Sequence, residues 1–246
     1  MKARLLTHLA APLVVALMLI PMVGTYAQQA STPPPPPPQA APRVDLGAFT
    51  KEVMGFHFEG DQTHLAIWFP YEFFVAVALS DGTGDRASME REMGFMRDYI
   101  PLVIQSEFEQ PDGTKVFATE AELRSRAVLK LADGSEVAAL TSVPPKISAL
   151  LAVMRNVIQD DGGQLSRNMH VLVFPSSTRA GRKIVETSQK DILTLVLKPG
   201  GRFKEASFNW RTPFDALTRP ADCPRCRAGV SAKWTYCPFC GQKLPH

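Results

Sequence analysis

Arg126-Ala-Val-Leu-Lys-Leu-Ala-Asp-Gly-Ser-Glu-Val-Ala-Ala-Leu140 reads as two alternating stretches folded back at Asp133-Gly134. Glycine accepts the positive φ of a tight turn, so Asp-Gly between such stretches predicts an antiparallel hairpin. Outward from this hairpin, further strand-like runs fall at Leu65–Phe69, Phe73–Leu79, Leu102–Phe108, His170–Phe174 and Ile192–Leu197. Another spans Phe203–Trp210, reached through Lys198-Pro-Gly-Gly201, with a bulge expected near Glu205-Ala206 where the alternation slips.

Two helices interrupt the strands. Ser88–Ile100 sets Met89, Met93, Met96 and Ile100 on one stripe ahead of Pro101. Pro145–Gln159 carries Ile147, Leu150, Leu151, Met154 and Ile158 on one face and ends at Asp160-Asp161-Gly162-Gly163. Many short strands with two helices predict a mainly β, α+β domain over residues 44–216: a β-sandwich-like arrangement of antiparallel sheet. No internal repeat and no strand–helix alternation suggests a solenoid or a doubly wound sheet.

The amino terminus reads as an export signal over residues 1–27. Lys2 and Arg4 precede an apolar run from Leu9 to Gly24, and Thr25 and Ala27 suit the −3 and −1 positions of a cleavage site. The run is interrupted by Pro12 and Pro21 and is shorter than the ~20 residues a membrane span needs, so cleavage is the expectation. If uncut, the segment would anchor the chain with the remainder facing outward. Residues 28–43 contain Pro33–Pro38 and form a proline-rich linker, extended at ~3.1 Å per residue. The expected location is periplasmic or secreted, in a bacterial envelope.

An apolar content of 45% supports a packed core. The 27 basic and 24 acidic residues give +3, and loss of Lys2 and Arg4 with the leader reduces this to +1. A balance so near zero supplies no electrostatic footprint for nucleic acid or an anionic membrane.

The central domain offers little recognisable chemistry. It lacks G-x-G-x-x-G, a P-loop, H-E-x-x-H and G-x-S-x-G, and all four cysteines lie outside it. His57-Phe-Glu59-Gly-Asp61-Gln-Thr-His64 packs two imidazoles and two carboxylates into eight residues, a set suited to a second metal or a general base. The plainer reading is a polar turn between strands. Asp81-Gly-Thr83-Gly-Asp85 with Glu92 echoes a calcium loop, but Arg86 stands where glycine is required, and a loop leading to a helix cap at Ser88 explains it better. Ser176-Ser177 has no base beside it in sequence.

The tail carries the strongest signal. Cys223-Pro-Arg-Cys226 and Cys237-Pro-Phe-Cys240-Gly241 are two C-x-x-C turns ten residues apart. Each such turn aims two sulfurs at one centre, and four sulfurs complete a tetrahedral ion site. Residues 217–246 are therefore expected to form a separate unit. Over 221–246 this segment resembles the zinc-ribbon family with rubredoxin-like knuckles. The resemblance implies that Cys223, Cys226, Cys237 and Cys240 ligate one structural Zn²⁺, with no coordination position left open. Its first knuckle departs from the pattern, with Arg227-Ala228 where glycine commonly follows. Two disulfides, a redox C-x-x-C and an iron site are the competing readings.

Arg225, Arg227, Lys233 and Lys243 against Asp222 leave the ribbon about +1 once four thiolates have bound a divalent ion, too little for tracking phosphates. Trp234, Tyr236 and Phe239 are expected to pack the ribbon's interior or dock it on the main domain. The function expected is that of an exported, non-catalytic binding or scaffold protein that contacts another protein or an envelope component and does not bind nucleic acid. The alternative is an envelope metal-dependent hydrolase using His57, Glu59, Asp61 and His64.

Overall fold

The computed structural model describes residues 45–80, 85–152, 168–217, 221–231 and 233–245. The expected leader and linker over 1–43, and the acidic-glycine end of the second expected helix, lie outside these residues. Among the described residues, no helix is long and apolar enough to cross a membrane.

The fold is α+β with mostly strands, arranged as two antiparallel sheets. The first runs β1 (Met54–Glu59), β2 (Gln62–Trp68), β3 (Tyr99–Glu109), with β4 (Lys115–Phe117) beside the far end of β3. The other half of the same β3 edge pairs with β7 (His170–Pro175), from Tyr99↔Pro175 to Ile104↔His170. The second sheet has the order β6 (Glu136–Ala138), β5 (Ala127–Lys130), β8 (Asp191–Leu197), β9 (Ala206–Thr212).

The hairpin expected at Asp133-Gly134 is β5–β6, in register Val128↔Ala138 to Lys130↔Glu136, with Gly134 at φ 79°. Asp133 closes the turn by accepting from the Ser135 amide at 2.9 Å and its hydroxyl at 2.6 Å. Those contacts and Arg182 hold the Asp133 carboxyl down at about 2.

Burial separates the strand types. β9 alternates buried and exposed without a break from Ala206 to Thr212, as a one-sided strand must. In β3, Leu102, Val103, Ile104, Gln105 and Ser106 are all buried because both faces are covered. The sheets share one apolar core: Trp68 meets Trp210 at 6.3 Å between ring centroids, and Phe108 meets Phe203 at 4.9 Å. Gly55 lies so close to the second sheet that a Cβ there would stand 3.0 Å from the Phe208 ring.

Four expectations are corrected. Phe73–Leu79 is not a strand but the centre of helix α2 (Tyr71–Ser80), buried from Phe73 to Val77. A continuous apolar run has no period to read, and cover on all sides suits either element. The helix expected over Ser88–Ile100 is shorter. α3 (Arg86–Met93) is capped by Asp85 rather than Ser88, a 3₁₀ turn follows over Gly94–Asp98, and Ile100 and Pro101 belong to β3. No bulge occurs near Glu205-Ala206, because Phe203 precedes β9 and pairs with Gly200 across a tight turn.

The fourth correction is the helix count, five rather than two among the described residues. α1 (Leu46–Val53) and α4 (Glu120–Arg126) join α2, α3 and the helical residues 145–152. Ile147 and Leu151 of the last are buried as expected. α4 was marked in the sequence by a capping box, Thr119 with Glu122, whose side chain and backbone bonds are reciprocal.

Candidate metal centre

Each cysteine pair sits on a tight turn, and the two turns share one design. The Cys223 amide donates to the Ala228 carbonyl at 2.9 Å, and the Arg227 amide returns to the Cys223 carbonyl at 2.9 Å. In the second turn the Cys237 amide donates to Gln242 at 2.8 Å, and the Gly241 amide to Cys237 at 2.9 Å. The short pair β10 (Ala221–Asp222) and β11 (Gly229–Val230) closes the base of the first turn, and a bridge between Tyr236 and Lys243 closes the base of the second.

This geometry brings the four sulfurs within 4.8 Å of one another. Two pairs run between turns, Cys223 to Cys240 at 3.6 Å and Cys226 to Cys237 at 3.7 Å. A tetrahedron with ~2.3 Å metal–sulfur bonds sets its sulfurs ~3.8 Å apart, so the set fits a metal ion. The thiols are free. No strand-to-helix junction carries either C-x-x-C, as a thioredoxin-like redox motif requires.

The amides of Cys226 and Arg225 point at the Cys223 sulfur, and that sulfur's pKa is lowered to about 6, the Cys226 amide contributing most. Cys226 is pushed up to about 12. The Ala228 amide favours its thiolate, but burial and the bonds it gives Cys240, Cys223 and Cys237 outweigh that. Four thiolates at such separations repel strongly, and a central cation removes that penalty.

Arg227, where glycine was expected, has a conformational cost. Arg227 stands at φ 58°, where the equivalent residue of the second turn is Gly241 at φ 72°. Left-handed backbone costs a non-glycine residue roughly 1–2 kcal/mol, partly offset by glycine's extra freedom when unfolded. Arg227→Gly is therefore expected to stabilise the ribbon by somewhat under about 1 kcal/mol. Gly241→Ala, with no atom within 4 Å of the added methyl, should destabilise it by about 1 kcal/mol through backbone conformation alone. The temperature of thermal metal release, read with a chromogenic chelator, should rise for the first and fall for the second.

The ribbon's interior is Cys223, Val230, Cys237 and Leu244. Trp234, Tyr236 and Phe239 do not fill it, being 39%, 58% and 69% exposed, and this corrects their expected packing role. Polar contacts do the docking instead. Lys233 pairs with Glu52 of α1 and lies 3.7 Å from Asp215, which also accepts from the Ser231 hydroxyl at 2.6 Å. Glu52 in turn accepts the Asp215 and Ala216 amides at 2.9 and 2.8 Å.

The His57–His64 stretch is a hairpin, with His57 opposite His64 and Glu59 opposite Gln62. The four candidate ligands do not converge; among the described residues the cysteines are the one group of three or more ligating side chains within mutual reach. Asp61 is drawn to Lys204 at 3.2 Å, and Glu59 is exposed. Gln62, unremarked in the sequence, is the buried polar residue here: it donates to the Arg202 carbonyl at 2.7 Å and accepts from the Lys204 amide at 3.0 Å. The stretch fastens the loop before β9 to the first sheet. Arg202 stacks over Phe108 at 4.3 Å and Arg126 over Phe203 at 4.9 Å, placing positive charge on the rings around His64. A second cation beside them would be opposed by both.

His64 is fully buried. Its Nδ1 shares a 2.8 Å hydrogen bond with the Ser106 hydroxyl, and its Nε2 has no hydrogen-bond partner among the described residues. Burial, then the nearby His57, lower its pKa to about 4. An unfolded histidine titrates near ~6.5, so the unfolded chain takes up a proton that the folded chain refuses. The resulting stability is complete above that pH and is lost as pH falls from 6.5 toward 4, by up to about 3 kcal/mol. Urea unfolding across this range should show the loss, with His64→Gln flattening the curve relative to the native protein.

No family model matches the chain, and no curated protein matches it. Among solved structures, a crystal structure of a DUF4426 family protein from Pseudomonas aeruginosa PAO1 is similar to it at 12% identity and a TM-score of 0.31. That match covers 65% of this chain and 98% of that one.

Proposed function

We propose that this is an exported, non-catalytic binding protein whose two-sheet domain carries a carboxy-terminal ribbon closed around one structural zinc ion. The observation that carries the reading is the spacing of the four cysteine sulfurs, 3.6 and 3.7 Å between turns, with all four positions of a tetrahedral ion taken by protein. A closed site leaves no place for water or substrate on the metal, so the ion's part is to hold the ribbon's shape. The leader-like residues 1–27 support export, and Trp234, Tyr236 and Phe239, turned to solvent on the ribbon, support contact with another protein or an envelope component.

Elemental analysis of the purified mature protein tests this. The expected result is one zinc per chain with four thiols unreactive until a chelator is added. Iron in its place would show as a coloured, redox-active protein and would overturn the metal assignment. Metal-free protein with its thiols paired would overturn the site itself.

A further inference from the structure

The second sheet turns one face to solvent, and the ribbon stands beside it. Between them is a cleft of about 620 Å³, floored by β5, β8 and β9 and walled on one side by Lys233 and Thr235. That volume falls within the range of small-ligand sites, roughly 300–1,000 Å³.

Its charge is one-sided. Lys130, Lys190 and Arg211 border it against a single carboxylate, Asp191. Both oxygens of Asp191 are engaged elsewhere, accepting the Glu186 amide at 2.9 Å and the Ile192 amide at 2.8 Å. Lys233 is answered by Glu52 and Asp215. Lys190 is steered by the ribbon, donating to the Trp234 carbonyl at 3.1 Å. Elsewhere on the surface Arg124, Arg182, Lys198 and Lys204 each sit in an ion pair. Among the described residues neither Lys130 nor Arg211 forms one, and both are exposed. Like charges left unanswered in a concave site favour an anion, since the cleft walls focus their field.

The floor agrees with this polarity. Lys130, Thr194 and Asn209 stand in register across the three strands. The Thr194 hydroxyl donates to the Asn209 carbonyl oxygen at 2.8 Å, which leaves the amide nitrogen as the donor of that side chain. Strands ~4.8 Å apart put Lys130 and Asn209 about 10 Å from each other, and Arg211 follows Asn209 by two residues on the same face. One phosphate cannot span that distance.

We propose that this cleft binds a small anion carrying two or more carboxylate or phosphate groups, with Lys130 and Arg211 each taking one end and Asn209 donating between them. The proposal goes beyond the structural metal and is independent of which ion the ribbon holds. Titration calorimetry at low salt, with the metal-loaded protein and citrate or pyrophosphate as probes, decides it. The expected result is saturable binding of at least one probe, the preferred one naming the anionic group, weakening as salt rises. Lys130→Glu with Arg211→Glu should raise its dissociation constant at least about tenfold, with metal content and melting temperature unchanged, while Lys51→Glu outside the cleft changes nothing. Absence of binding by both probes, or equal binding by the doubly reversed variant, overturns the proposal. Loss of metal with the cleft residues intact would count against the ribbon alone.

Discussion

Serine at Cys223 and Cys237 is expected to unfold residues 221–245 and to abolish metal binding, while the two-sheet domain still melts cooperatively. The ribbon's own apolar interior is two side chains, Val230 and Leu244, beside the cysteines. Burying so few groups supplies only a few kcal/mol, against an ordering cost of about 1–2 kcal/mol for every residue fixed. Metal–thiolate binding, roughly 10–16 kcal/mol for a structural zinc site, is the largest single contribution toward that cost, and losing it tips the balance to the unfolded segment. The main domain keeps its own core, of which the ribbon is no part. Limited proteolysis should therefore clip the variant within 221–245 and leave the rest intact, and chelation of the native protein should reproduce the pattern. A ribbon that stayed protease-resistant without metal would sink the argument.

The second large effect is expected at Trp210. Its ring is buried between Trp68 and Phe208, and its Nε1 donates to the Val53 carbonyl at 2.8 Å, tying β9 to the junction of α1 and β1. Trp210→Ala removes the packing, worth about 3–5 kcal/mol for a buried tryptophan, and strands a buried carbonyl for about 1 kcal/mol more. A domain of this size carries about 5–15 kcal/mol in total, so the melting temperature should fall by about 10–20 °C. Trp210→Phe keeps most of the ring and loses the donor, and should cost about 1–3 kcal/mol. Calorimetric melts of the two variants separate cavity from hydrogen bond; melting temperatures of both variants unchanged from the native protein would show that Trp210 is not the tie between the sheets.

The two predictions concern parts of the molecule that were legible to different degrees. The ribbon could be read because its information is local: two C-x-x-C turns each organise their own sulfurs, whatever surrounds them. The β5–β6 hairpin was readable for the same reason, its Asp-Gly turn setting the register without outside help. The His57–His64 cluster misled because spacing along a strand says which side chains share a face but not what lies opposite. What lies opposite is the loop carrying Arg202 and Lys204, about 140 residues away, which takes up Gln62 and Asp61.

The cleft between ribbon and sheet was not legible at all. Lys130, Arg211 and Lys233 are far apart in the chain and none belongs to a motif. The aromatic residues of the ribbon misled in the opposite sense. Hydrophobicity predicted burial for Trp234, Tyr236 and Phe239, yet a ribbon with four sulfurs at its centre has no room for rings.

By itself the order of residues determined the two cysteine turns, the strands with a clear alternation and the hairpin turn, since each depends on neighbours within a few positions. Only the tertiary structure decided that Phe73–Leu79 is helical, that His64 is a buried neutral imidazole, and that a charged cleft lies beneath the ribbon. Those outcomes depend on which distant surfaces exclude water from which side chains, and that exclusion exists only once the sheets have packed together.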